Sequence, residues 1–304
     1  MTQEELKTLV AQLLREMAPE KEPPVKAGDY HPTVRVEEER ENYPDDGAIL
    51  DDISEIDLRK QYLVEGPADK ARFAALKART PARLGVGKAG PRYRTVTALR
   101  FRADHAAAQD SVFSMVPEEF ARENGLVAVK TMCRDKDEYL TRPDLGRKFD
   151  EENAAKIRAA VPSPPKVQLV IGDGLSSAAV LANAMDCAKA MAQGLRTYGI
   201  DLGQSLYVQF CRVGAGDAVG DLTGCEVVCV LVGERPGLVT AESMSAYLTY
   251  RPHTGVSESA RTVVSNIHRQ GTQAVEAGAH IAQLIDTILK KKASGVALGR
   301  ETLE

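Results

Sequence analysis

Two glycine-rich segments have the residue types that hold a phosphate group. Residues 85–90 match the string G-x-G-x-x-G, and residues 172–177 carry two of its three glycines. In a dinucleotide site the string follows a strand and opens a helix, so that backbone N–H groups meet a pyrophosphate. Pro81 lies shortly before the first segment and Pro91 directly after it, so neither element fits there. An ordinary packing loop is therefore favoured for residues 85–90.

The segment 172–177 is better placed, because a predicted strand precedes it and a predicted helix follows it. Ser177 stands where the third glycine would be. We therefore favour Ser176 or Ser177 as the cap of the following helix. The alternative is a phosphate loop, which would make the chain a stand-alone nucleotide-dependent α/β enzyme.

The spacing of the cysteines and of the acidic residues does not indicate a catalytic site. Cys225 and Cys229 would lie roughly 13 Å apart along a strand, too far for two sulfurs at about 2.3 Å from one zinc ion. We expect core thiols instead. Asp104, His105 and Asp110 fall on one predicted helix with no second cluster nearby in sequence, which favours a solvated helix face. The sequence thus assigns no catalytic residue and no metal ligand, and favours a chain that contributes surface to a partner's active site.

Composition narrows the class of protein further. The net charge of -4 gives no general attraction to phosphate backbones, so we expect no nucleic-acid partner. The apolar runs fall short of the roughly 20 residues that a membrane-spanning helix needs. The five cysteines are an odd number, and the sequence begins without a basic segment, so we expect an intracellular protein without structural disulfides.

The elements that would position these residues divide the chain into segments of different character. Residues 56–155 are predicted to be a smaller, mainly helical domain, with helices at 68–77, 95–116, 118–124 and 150–160. The prolines at 162, 164 and 165 then interrupt the helical pattern.

Residues 156–304 have the pattern of an α/β domain. Three short and nearly continuous apolar runs predict buried parallel strands, and two amphipathic segments predict helices that cover them. The strands are predicted at residues 167–171, 206–210 and 226–232, and the helices at 178–194 and 272–292. The predicted fold is α/β, with a C-terminal doubly wound, Rossmann-like and mainly parallel sheet.

The N-terminal segment has a separate pattern. Residues 1–18 predict an amphipathic helix, because apolar residues recur at steps of three and four, and residues 19–55 predict a polar linker. The helix could fold back onto the body or dock on a partner, and the long linker favours docking.

The segment 233–238, Gly-Glu-Arg-Pro-Gly-Leu, follows the strongest predicted strand at its carboxyl end, where ligands meet open α/β sheets. Together with Ser-Met-Ser-Ala-Tyr at 243–247 and Ser-Asn-Ile-His at 265–268, it resembles the small-subunit family of ethanolamine ammonia-lyase. The resemblance continues through Lys-Ala-Gly-Pro-Arg at 88–92, Leu-Arg-Phe-Arg-Ala-Asp-His at 99–105, Tyr-Leu-Thr-Arg-Pro-Asp at 139–144 and Gly-Asp-Gly-Leu-Ser at 172–176.

This resemblance implies an adenosylcobalamin-dependent radical deamination of ethanolamine to acetaldehyde and ammonia. It implies that cobalamin lies at the interface with a larger TIM-barrel subunit, which holds the substrate and the radical chemistry. The resemblance places Val213, Glu234 and Val263 against the cobalamin. A carboxylate suits the amide N–H groups of a corrin rim, and valines suit its apolar parts.

Each of these residues also has a simpler interpretation. Without the resemblance, Glu234 would be a surface acid at a strand end, and the two valines would be ordinary core. Val263 also departs from the family pattern, because some members have cysteine there; a contact through backbone atoms would tolerate the exchange.

The resemblance gives the N-terminal helix a specific role as well. Relatives carry a short amphipathic segment that directs the enzyme into a bacterial microcompartment, so residues 1–18 are predicted to be a targeting peptide. The expected location is a microcompartment within the cytoplasm, with its shell as a further partner. A third hypothesis is a purely structural adaptor, and this helix is the feature that favours it.

Overall fold

A computed structural model of the 304-residue chain describes residues 52–300. The helix predicted at residues 1–18 and most of the linker predicted at 19–55 lie outside the described residues. Between residues 52 and 300, no helix combines the length and the apolar character that crossing a membrane requires.

The centre of the described part is a sheet built on runs of valine, leucine and isoleucine. Six strands form it in the order β3-β5-β4-β6-β7-β8, and a separate two-stranded hairpin consists of β1 and β2. The strands are β1 Lys88–Ala89, β2 Arg92–Tyr93, β3 Val127–Lys130, β4 Val167–Asp173, β5 Leu206–Gln209, β6 Val227–Gly233, β7 Met244–Tyr250 and β8 Arg261–Ile267. Every residue of β4 and β6 is buried, as expected for central strands covered on both faces.

The direction of the strands changes twice across the sheet, at β7 and again at β8. The first four strands in the order run parallel, and β7 and β8 are antiparallel to their neighbours. The three predicted parallel strands are thus confirmed, and so is a mixed α/β fold with a mostly parallel sheet. Three strands of this sheet were not predicted, namely β3, β7 and β8.

Helices cover both faces of the sheet. They are α1 Lys70–Lys77, α2 Thr95–Phe113, α3 Glu119–Glu123, α4 Lys136–Thr141, α5 Glu151–Ala160, α6 Ser177–Thr197, α7 Ala215–Thr223, α8 Ala274–Lys291 and α9 Val296–Arg300. The apolar sides of α6 and α8 bury one face, and those of α5 and α7 bury the other. Helices α6 and α8 touch where Gly278 meets the Cys187 carbonyl, at a point where a Cβ would come within 2.3 Å of the oxygen.

The segment 56–155 contributes to the sheet as well as to the helices. Four of its predicted helices correspond to α1, α2, α3 and α5. Its short strand β3 pairs in parallel with β5, so the edge of the sheet comes from this part of the chain. The domain boundary near residue 155 and the Rossmann-like topology remain proposals.

A buried ion pair ties β8 to α7. The guanidinium of Arg261 donates to both carboxylate oxygens of Asp217, at 2.8 and 2.7 Å, and the side chains are 3% and 9% exposed. Arg261 also donates to Glu258 at 2.7 Å and to the Thr249 hydroxyl at 3.2 Å. The hydrogen bonds that Arg261 donates to Asp217 raise the pKa of Arg261, although burial opposes the shift. The pair therefore holds β8 in place beside the helix that follows β5.

We expect Asp217→Ala to lower the free energy of unfolding by about 3 kcal/mol, because the change leaves a buried guanidinium without its main partner. Urea denaturation of the purified chain measures this effect. Glu152→Ala is the matched control, since Glu152 forms an exposed pair with Lys156 and should cost less than about 1 kcal/mol. Equal losses in the two variants would contradict the structural role of the buried pair.

Candidate functional site

The carboxyl end of β6 packs very closely against the loop that follows β4. A Cβ on Gly233 would lie 2.0 Å from the carbonyl oxygen of Ser176, and one on Gly174 would lie 2.5 Å from a methyl of Val232. Only glycine fits at such distances. The chain leaves β6 directly after this contact, so Glu234 is the first side chain beyond the end of the strand.

The loop at 172–177 is closed by its own contacts. Ser176 accepts a hydrogen bond from the Ala179 amide at 3.0 Å and donates to the Ala241 carbonyl at 2.5 Å. Ser177 donates to the buried carboxylate of Asp173 at 2.6 Å. The predicted helix cap is thus confirmed for Ser176. The phosphate-loop alternative is disfavoured, because both hydroxyls are already bonded and a carboxylate would repel a phosphate there.

Glu234 is held by both its backbone and its side chain. Its amide donates to the Ser243 carbonyl at 2.9 Å, which closes the loop between β6 and β7. Its Oε1 accepts a hydrogen bond from the Tyr247 hydroxyl at 2.5 Å. Within residues 52–300, no donor bonds to its Oε2, and the side chain is partly exposed. One carboxylate oxygen is therefore anchored, and the other is free to accept.

Tyr247 remains a neutral donor in this pair. Burial raises the pKa of Tyr247, and the hydrogen bond and the charge of Glu234 raise it further. A phenol that keeps its proton must donate to the carboxylate, and a short O–H···O⁻ contact of this kind is a strong hydrogen bond.

Val263 lies beside the same tyrosine. It is the direct cross-strand partner of Tyr247 between β7 and β8, so both side chains are on one face of the sheet. Val263 is 47% exposed, which rules out the interpretation as ordinary core. Glu234 and Val263 therefore both adjoin Tyr247.

Val213 lies on the same face of the sheet as Tyr247, but it follows β5 and not one of the antiparallel strands. It lies in the turn between β5 and α7, after Phe210 takes a left-handed backbone with φ 58°. Val213 and Tyr247 both pack against one buried apolar cluster that includes Val230 and Val232. Val213 is partly buried, so it combines a core contact with some exposed surface.

Asp104 does not lie on a solvated helix face, and that prediction was wrong for this residue. Its carboxylate pairs with Arg83 at 2.7 Å and with Arg100 at 3.0 Å, and its side chain is only 15% exposed. The neighbouring His105 and Asp110 are exposed as predicted. The prediction for Asp104 failed because helical spacing cannot show that Arg83, from a separate segment, lies beside it.

The cysteines and the first glycine-rich segment have structural roles. Cys225 and Cys229 are buried free thiols, as predicted, and burial raises the pKa of Cys225 to about 11. Residues 85–90 contain a turn at Gly85, the short strand β1 and the turn at Gly90, and Gly85, Gly87 and Gly90 take positive φ angles. Gly90 lies at the turn of the β1–β2 hairpin. Across residues 52–300, no group of three His, Cys, Asp or Glu side chains could hold a metal ion.

Tyr247 is the residue of this site that sequence reasoning missed. A usable signal was present, because Met244, Ala246 and Leu248 alternate with Ser245, Tyr247 and Thr249. Such alternation predicts a strand with Tyr247 on its more polar face. The contact with Glu234 depends further on the pairing of β6 with β7.

Comparison with known proteins decides the family. The family described as "Ethanolamine ammonia-lyase light chain" matches residues 70–299, more than half of the chain. The chain belongs to this family. The family predicted from the sequence motifs is therefore confirmed, and with it the prediction of a lyase component.

Three relatives named "Ethanolamine ammonia-lyase small subunit" align with 98% of the chain and with their own full length. They come from Clostridioides difficile (56% identical), Clostridium perfringens (54%) and Listeria monocytogenes (51%), each over 298 residues. The family resemblance thus extends well beyond the quoted motifs.

We expect Gly233→Ala to lower the free energy of unfolding by about 1 to 3 kcal/mol or more, because the added methyl overlaps a backbone oxygen. Gly237→Ala in the same loop is the control, since a Cβ there meets no atom within 4 Å and should change stability by less than about 0.5 kcal/mol. Chemical denaturation of both variants gives the comparison. Equal stability of the two variants would contradict the close packing of β6 against the loop that follows β4.

Proposed function

We propose that the chain is the small subunit of ethanolamine ammonia-lyase and that it contacts adenosylcobalamin through Val213, Glu234 and Val263. In this proposal the cobalamin lies at the interface with a larger TIM-barrel subunit, which carries the substrate. The observation on which the proposal depends most is the Glu234 carboxylate at the end of β6, whose Oε1 is anchored and whose Oε2 has no donor among residues 52–300.

The residues present fit a corrin ring. Its rim carries carboxamide groups, whose N–H groups need acceptors, and apolar edges, which need aliphatic surface. The partly exposed carboxylate of Glu234 supplies the acceptor, and the exposed Val263 supplies the aliphatic surface on the same face. The position of Glu234 just beyond the carboxyl end of β6 is where ligands meet such folds.

In this proposal the chain binds and orients, and the cofactor supplies the radical chemistry when it is bound. Glu234 accepts an N–H group of the rim through Oε2. Val213 and Val263 exclude water from the adjoining edge of the ring. Closing such a surface strengthens the hydrogen bond to the carboxylate, because water no longer competes for the acceptor.

We further propose that the enzyme resides in a bacterial microcompartment within the cytoplasm, with residues 1–18 as the targeting peptide and the shell as a partner. The support is the stripe of apolar residues in that segment, followed by a polar linker. The proposal for residues 1–18 rests on sequence pattern alone.

We expect Glu234→Ala to weaken the binding of cobalamin to the two-subunit complex by a few-fold to some tens-fold, on the scale of about 1 to 3 kcal/mol for a charged hydrogen bond. A spectroscopic titration of the complex with cobalamin measures the affinity. Glu226→Ala is the matched control, because Glu226 is exposed directly before β6, at the opposite end of the same strand.

Two results would count against the proposal. Unchanged affinity in Glu234→Ala would remove this residue from the site. Full activity and full cobalamin binding by the large subunit alone would instead favour the structural adaptor.

A further inference from the structure

Tyr247 occupies the most constrained position beside the proposed site. Its strand β7 is paired on both sides, with β6 through Val230 and with β8 through Val263. The ring packs against a buried apolar cluster, so the backbone and the ring are both held. Its hydroxyl donates to Glu234 Oε1 at 2.5 Å.

Glu234 has the opposite character. It lies beyond the end of β6, in a loop whose tip is exposed, and its side chain has three rotatable bonds. Such a side chain loses much rotamer freedom when it binds a ligand. A hydrogen bond that restricts the carboxylate beforehand lowers that cost, which is the general advantage of a preorganised site.

The pair also restricts which chemical group can bind. The hydroxyl of Tyr247 occupies Oε1 as a donor, and burial together with the Glu234 charge raises the pKa of Tyr247, so the hydroxyl keeps its proton. The remaining oxygen is a pure acceptor. It therefore selects a donor such as a carboxamide N–H and disfavours a carboxylate or a carbonyl oxygen.

We propose that Tyr247 is a positioning residue that holds Glu234 in place, so that Oε2 is preorganised to accept a carboxamide N–H of the cobalamin rim. The inference rests on the proposed function, in which Glu234 contacts cobalamin. Tyr247 is also the cross-strand neighbour of Val263, so one residue adjoins two of the three proposed contacts.

Tyr247→Phe removes one oxygen and keeps the ring in the cluster. We expect it to weaken the binding of cyanocobalamin, which lacks the adenosyl group, to the two-subunit complex by about five- to tenfold, the scale of the net contribution of one ordinary hydrogen bond. Absorbance titration measures the dissociation constant without any turnover. Tyr250→Phe is the matched control at the other end of β7, where Tyr250 pairs with Val227, and should bind like the wild type.

A double-mutant cycle separates positioning from a general structural effect. If Tyr247 acts through Glu234, Tyr247→Phe should cause no further loss in a Glu234→Ala background. Independent, multiplying losses in the double variant would overturn the inference, because Tyr247 would then affect binding by another route.

The failure of the inference differs from the failure of the proposed function. If Glu234→Ala weakens binding and Tyr247→Phe does not, the positioning role is wrong and the proposed contact of Glu234 stands. If Glu234→Ala has no effect on the dissociation constant, the proposed contact is wrong, and the inference about Tyr247 falls with it.

Discussion

The close packing of the carboxyl end of β6 is the constraint on which the rest of the site depends. Gly174 and Gly233 leave no room for a side chain there, so the end of β6 packs directly against the loop that follows β4. The loops must therefore diverge immediately beyond this contact. One loop enters α6 through the cap at Ser176, and the other carries Glu234 outward at the sheet edge.

The antiparallel strands β7 and β8 supply the residues that adjoin Glu234. In β7 the chain returns beside β6, which brings the Tyr247 hydroxyl back to Glu234, and β8 adds Val263 on the same face. The ion pair between Arg261 and Asp217 then ties β8 to α7, the helix that follows Val213. The three residues proposed to contact cobalamin thus belong to one connected framework, although they are far apart in sequence.

The sequence predicted those parts of the fold that depend on local pattern. The strands β4, β5 and β6 were recognisable as continuous apolar runs, and Ser176 was recognisable as a cap. The contacts of Asp104 and of Tyr247 were not, because each depends on a partner from another segment, Arg83 in one case and Glu234 in the other. The positions of Val213, Glu234 and Val263 came from family resemblance, since no spacing rule relates three residues on separate loops and strands.

The measurement that tests the central claim most directly is the structure of the chain in complex with its large subunit and cobalamin, determined by electron cryomicroscopy. The account predicts a carboxamide nitrogen of the corrin rim within about 3 Å of one Glu234 oxygen, with the Tyr247 hydroxyl on the other oxygen. Cobalamin bound away from the carboxyl end of β6, or a Glu234 side chain turned away from Tyr247 and from the ring, would contradict it.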